Sequence, residues 1–192
     1  PAQEQRALAE GKAWVDLSHL AILAISGDDR AKWLHDLTTQ HLLNISAGDW
    51  LPAMILDHNG HVEYQFNLVD DGNEIFIVID PAYAEGLLAY LLKMRFMLKV
   101  DARDASAEYA VLRAPGAPTE IGGPYALVPR SELDAMKKLF NENAKEVGTW
   151  SLDAEPWESL SASQLAAAQT VGAVSGTLLA QALIGLGAPP PL

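Results

Sequence analysis

The sequence runs to 192 residues, 49% hydrophobic and 20% charged, proportions that bury a real core and exclude fibrous and disordered classes. Twenty-five acidic against 13 basic side chains leave a formal charge of -12, which repels phosphate backbones and anionic lipid, so neither general nucleic-acid binding nor a membrane partner is expected. Zero cysteines remove disulfides, zinc thiolates, protein-ligated iron–sulfur clusters and a thiol nucleophile, and fit a cytoplasmic location.

Ala2 to Gly11 reads as a short helix of good helix formers with a glycine at its stop. Ala13 to Asp16 and Leu20 to Ser26 read as strands around Ser18-His19. Gly27-Asp28-Asp29 then places acids at a helix N-terminus, with Trp33, Leu34 and Leu37 on the core face and His35 and Asp36 pointing outward. Trp50 to Leu56 and His61 to Val69 form a hairpin around Asn59-Gly60, and the turn Asp70 to Asn73 leads into the β-branched run Glu74 to Ile79, completing an antiparallel meander.

Pro81 opens a helix over Ala82 to Met94 whose wide apolar face holds Leu87, Leu88, Leu91 and Leu92, and Phe96 to Val100 returns to strand. Glu108 to Arg113 is a strand, Ala114 to Pro118 a Pro/Gly loop, and Pro124 to Val128 a short strand. Ser131 is the predicted N-cap of a helix through Lys145. This order specifies an α+β fold with mainly antiparallel sheets and packed helices.

The last acid is Glu158, and Ser159 to Leu192 carry no charge. Residues 165–186 match a membrane span in length, but the stretch is rich in alanine, dotted with Gln, Ser and Thr, and lacks flanking Lys/Arg anchors. A helix packed on its own domain or on a partner is the favoured expectation, beside a non-native tail.

Chemistry-bearing constellations are sparse. The five histidines, His19, His35, His41, His58 and His61, lack the spacing of a metal site. Neither Ser18 nor Ser26 sits in a Gly-x-Ser-x-Gly elbow, and Gly122-Gly123 lacks the rest of a phosphate loop. Asp28-Asp29 and Asp70-Asp71 are explained by a helix start and a turn. Strand alternation puts His61, Glu63 and Gln65 on one face, opposite Val62, Tyr64 and Phe66, as either a solvent face or the polar lining of a pocket.

The ordered series Val15-Asp16-Leu17-Ser18-His19, Ile25-Ser26-Gly27-Asp28-Asp29, Trp33-Leu34 with Leu37-Thr38-Thr39, Ala47-Gly48 and Leu56 to Val62 resembles the opening of the folate-binding T-protein superfamily. That superfamily holds the aminomethyltransferase of the glycine cleavage system and the YgfZ-like folate-binding proteins linked to iron–sulfur enzyme maintenance and tRNA modification. The resemblance covers about residues 4 to 113 and extends more loosely to Trp150. It implies duplicated α+β subdomains around a pocket for tetrahydrofolate.

The resemblance also assigns residues. The family's hydrophobic pterin contacts fall on Leu20 and Ala24, and the asparagine ending the third strand falls on Asp80. The acidic pair that holds the catalytic aspartate falls on Tyr64 and Gln65, and the tyrosine four residues further falls on Val69. A glutamine carries no negative charge and exchanges no proton at neutral pH, so no catalytic residue is expected, while Glu63 and Gln65 count as candidate folate contacts. Glu63 stands as a displaced acid. The later Lys-Gly-Cys-Tyr-x-Gly-Gln-Glu signature of the YgfZ-like branch is absent.

Members of that family are longer, so the expected organisation is a folate-domain-like part over residues 1–113, a partial second subdomain over 114–158 and the uncharged tail over 159–192. The implied functions are a non-catalytic tetrahydrofolate-binding protein, an aminomethyltransferase, or a scaffold module that dimerises through the apolar tail.

Overall fold

The computed structural model describes residues 2–114 and 125–147. The loop expected over Ala114 to Pro118 lies almost wholly outside them, and the tail expectations for 159–192 lie outside them altogether. Among the described residues no helix is long and apolar enough to cross a membrane.

Helix α1 (Ala2–Ala9) leads into β1 (Ala13–Asp16) and β2 (Ala21–Ser26), then α2 (Arg30–Leu37). The meander is β3 (Trp50–Leu56), β4 (Val62–Asp70) and β5 (Glu74–Ile79), followed by α3 (Pro81–Lys93), β6 (Asp101–Asp104) and β7 (Tyr109–Arg113). After the undescribed segment come β8 (Tyr125–Pro129), a 3-10 turn Arg130–Glu132, α4 (Leu133–Asn143) and β9 (Lys145–Val147). Five strands form one sheet in the order β3-β4-β5-β2-β6, and four form the other in the order β8-β7-β1-β9. Every pairing is antiparallel except β1 with β9. The α+β class with mainly antiparallel sheets is therefore observed.

β2 and β5 pair over six residues, and alternation sends their side chains into two cores. Leu23, Ile25, Ile75 and Ile77 meet Trp33, Leu34, Leu87 and Leu91 of α2 and α3. Ile22, Ala24, Phe76 and Val78 on the opposite face meet Val15, Val111 and Val147 of the four-stranded sheet. A third, smaller cluster seats α4 on that sheet's outer face, where the fully buried Trp14 takes Phe140 edge-on at 5.7 Å and donates its indole N–H to Asn141 at 3.0 Å. Lys137 of α4 also pairs with Asp16 of β1.

Several expectations need correction. Phe96 to Val100 is not a strand: Phe96 turns through φ 46°, and the ladder resumes only at Asp101. The chain bonds to α2 and its N-cap on both sides of that turn instead: Met94 O, before the segment, accepts from the Trp33 indole, and Lys99 N within it donates to Asp29 Oδ2. Asp29 thus stabilises that segment and makes no side-chain cap to its own helix. Ser131 lies inside the 3-10 turn rather than at an N-cap, and α4 ends at Asn143 because Lys145–Val147 peel off to pair in parallel with β1. His35 does not point freely outward. It is half-buried, its Nδ1 accepts from Leu42 N, and its ring packs against His41 at 4.8 Å. The apolar face of α3 is also narrower than expected, since Leu92 is exposed.

The paired acids at the β4–β5 turn divide their roles. Asp71 accepts from the backbone of Asn73 and Glu74. Asp70 is buried and takes both Nε and Nη2 of Arg30 at 3.2 and 3.1 Å, tying α2 to the meander. Opposite, Gly27 has φ +107°, and a Cβ there would lie 2.0 Å from the Lys99 carbonyl oxygen.

Gly27→Ala is therefore expected to cost at least about 2 kcal/mol, since backbone strain alone contributes about 1–3 kcal/mol and the clash adds to it. An unchanged denaturant midpoint would contradict this packing. For Asp16, burial raises the carboxyl, but the Lys137 ammonium and the Ser18 hydrogen bonds outweigh it and hold the pKa below the usual aspartate value. A depressed acid stabilises above its unfolded pKa and loses that contribution as pH falls through the folded value. Lys137→Met should thus lower stability by about 1 kcal/mol at pH 7, discounted for partial exposure, with the difference shrinking below about pH 4. Urea titrations at pH 7 and pH 3 read it.

Candidate functional site

The four-stranded sheet covers only part of the five-stranded one. On β4 the alternating residues of the inner face are Val69, Asn67 and Gln65, with Val69 buried beneath the cover; the expected place of Glu63 on this face is not met, because the register shifts at Glu63 and leaves it without a partner on β3. At the margin a crevice of about 40 Å³ lies between Leu17 and Leu20 of the β1–β2 connection, Trp50, Asn67, Val78 and Tyr125. The volume admits little more than a water.

Each wall has a local cause. Leu20 follows a turn in which Asp16 Oδ1 accepts from Ser18 N and Leu20 N donates to Leu17 O, which turns both leucines under the sheet. Asn67 and Val78 are register partners, so the carboxamide stands directly beside an aliphatic side chain. Trp50 opens β3 and tilts against Tyr125 with ring centroids 5.3 Å apart. Burial pushes the Tyr125 hydroxyl up, and the positive charge of Arg113 offsets this only in part, so the phenol is a neutral donor at physiological pH.

Of the five candidate site residues only Leu20 lines this crevice, forming one wall. Gln65 is half-buried, two residues along the strand from Asn67 on the same face and opposite Met54. Ala24 pairs with Phe76 and is only 1% exposed, inside the core between the sheets. Asp80, two residues beyond Val78, is the N-cap of α3, its carboxylate accepting from Ala82 N at 2.8 Å. Glu63 is exposed near the start of β4, and after burial its charge is the next cause raising the Tyr64 and Tyr90 hydroxyls, both on the helix side of the sheet.

Of the Tyr64-Gln65 pair only Gln65 faces this side. Tyr64 points to the helix layer, with its ring 6.1 Å from that of Tyr90 and its hydroxyl close over Gly86. Trp50, Asn67, Val78 and Tyr125 were not singled out by sequence reasoning. Asn67 was within reach, as an amide two residues from Gln65 in an otherwise apolar run. Trp50 and Tyr125 meet only through the folding of distant segments.

Chemically the crevice is an apolar slot with two aromatic rings, one carboxamide and one phenol. None of the described residues lining it is a carboxylate, a histidine or a thiol. That set holds a flat ring by stacking and hydrogen bonding but offers nothing to accept a proton at neutral pH. Among the described residues no group of three His, Asp or Glu side chains is placed to hold a metal.

The architecture is that of a T-protein-like α+β fold. Glycine cleavage system aminomethyltransferase T from Bartonella henselae superposes with a TM-score of 0.60 at 13% identity, over 76% of this chain and 50% of that one. The chain thus spans about half the length of that protein. No protein-family model matches the sequence, and none of the curated proteins matches it.

Proposed function

We propose that the protein binds tetrahydrofolate without catalysing one-carbon transfer, in the manner of the YgfZ-like proteins linked to iron–sulfur enzyme maintenance and tRNA modification. The shared fold supports a folate-related reading. The observation that carries the non-catalytic part is Gln65: it stands on the inner face of β4, two residues from Asn67, where the resemblance puts the catalytic acid. A carboxamide there can hydrogen-bond a heterocycle but neither balances an amine's charge nor moves its proton. Leu20, Trp50 and Tyr125 supply the apolar and aromatic surface for a pterin ring, with Asn67 and Gln65 as its polar contacts. Because the crevice is narrow, the ring binds only as the walls part, which makes affinity weak.

Titration with 5-formyl-tetrahydrofolate, followed by tryptophan fluorescence, should show a saturable change that Trp50→Phe diminishes and Asn67→Leu weakens about tenfold, as loss of one buried hydrogen bond predicts. No saturable change up to about 1 mM, the range of the weakest useful affinities, would leave a scaffold role instead.

One observation bears on an aminomethyltransferase as second reading: Glu63 is an exposed carboxylate only two residues from Gln65 on β4. Tetrahydrofolate-dependent release of ammonia from an aminomethyl-lipoyl carrier, abolished by Glu63→Gln with folate binding retained, would establish it. Absence of turnover in a folate-saturated sample is the expected result.

A further inference from the structure

A second, wider cleft of about 470 Å³ opens where the β1–β2 turn, the start of α3, the β6–β7 turn and Arg130 meet. It shares only Leu20 with the crevice described above. Its volume lies in the range of small-molecule sites. Leu20, Leu23, Ala84 and Leu88 give it an apolar floor, and its walls carry charges of both signs: Arg130 against Glu85 and Asp104.

These charges do not neutralise one another. Arg130 Nε donates to Ser106 O at 2.6 Å and Nη2 to Ser18 O at 3.0 Å. Two of the five guanidinium N–H groups are thus spent on neutral carbonyls, which fix the plane of the fork and leave three donors. Among the described residues no carboxylate pairs with Arg130, and none of the cations pairs with Glu85 or Asp104. Asp104 uses Oδ1 to accept from Ser106 N at 2.8 Å, and Glu85 makes no hydrogen bond among the described residues.

The contrast with the rest of the molecule is what gives this weight. Acids outnumber bases almost two to one, and Arg30, Arg95 and Arg103 each hold a carboxylate; Arg130 shares the lack of one with Arg6 and Arg113 among the described residues, but of these three only Arg130 lines the cleft. Arg130, clamped between two carbonyls, thus puts a held positive charge in the same cleft as two carboxylates it does not pair with, Asp104 at the β6–β7 turn and the exposed Glu85 of α3. Both signs remain available to a ligand that brings the complementary pair, and a guanidinium fork suits a carboxylate best.

We infer that this cleft binds a zwitterionic amino acid with an apolar body, its carboxylate on Arg130, its ammonium towards Glu85 and Asp104, and its hydrocarbon part over Leu20, Leu23 and Leu88. Single-charge analogues leave one wall unanswered and bind less well. The site is independent of the folate reading, and either can fail without the other.

Isothermal titration of the full chain with L-leucine and with 6-aminohexanoate, which differ in the spacing of the two charges, tests the inference. At least one should bind saturably, while 4-methylpentanoate and isoamylamine, each with one charge, bind at least about tenfold more weakly, the loss expected for one charge-assisted contact. Arg130→Gln should weaken binding similarly. Because that change also frees Ser18 and Ser106 carbonyls, Glu85→Gln serves as the second variant: on the exposed side of α3, it should weaken binding with the melting temperature and the folate titration unchanged. Failure of both zwitterions to bind, equal binding of the single-charge analogues, or insensitivity to Glu85→Gln would overturn the proposal.

Discussion

Everything in this fold leans on the pairing of β2 with β5. Ala21 to Ile25 and Ile75 to Ile79 are apolar almost without interruption, a pattern more usual in parallel sheets buried on both faces. Here an antiparallel pair is buried twice, by helices on one side and by a second sheet on the other. A one-residue slip would exchange the two sets of side chains between cores of different shape, so the six-residue register is strongly specified. Arg30 and Asp70 reinforce this from the periphery. Their pair, with Asp70 buried and Arg30 partly exposed, joins the start of α2 to the end of β4, and removal of Arg30 leaves a buried carboxylate without its cation.

The same constraint decides where a ligand can enter. The four-stranded sheet is centred over β2 and β5, so its cover runs out along β4, and the crevice forms at that margin. Asn67 lies at the edge of the cover, and Val69, two residues further along β4, is buried beneath it. A polar side chain at position 69 would be buried without a partner, and an apolar one at 65 would gain little. The change from aliphatic to amide along one strand face thus tracks the change from covered to uncovered sheet.

The meander was legible in the sequence because two local signals coincide. Period-two alternation marks β3 and β4, and Asn59-Gly60 marks the turn, where Gly60 has φ +85° and Asp57 accepts from the backbone of Asn59 and His61. The failures share a different cause. Phe96 to Val100 has the composition of a strand, yet Phe96 takes a positive φ, Leu98 N bonds back to Arg95 O and Lys99 N is claimed by Asp29 across the molecule. β9 is three residues long, two of them charged, and exists only because β1 has an open edge. At the site, Leu20 came from resemblance and Gln65 from alternation. Trp50 and Tyr125 lie on different strands of different sheets, and no local pattern announces their meeting.

The charge of -12 also reads differently once the acids are placed. Asp57, Asp71, Asp80 and Asp104 satisfy backbone N–H groups at turns and a helix start, and Asp16, Asp70, Asp101 and Glu74 hold cations. Much of the acidity is therefore structural, and its excess over lysine and arginine is no sign of acid–base chemistry. Among the described residues Arg6, Lys93, Lys99, Arg113, Lys138 and Lys145 share with Arg130 the lack of an acid partner, so the setting of an unpaired charge matters more than the lack itself. Glu85 and Arg130 line one cleft together, whereas no charged side chain lines the crevice beside Asn67 among the described residues, so the two concavities differ in the chemistry they present.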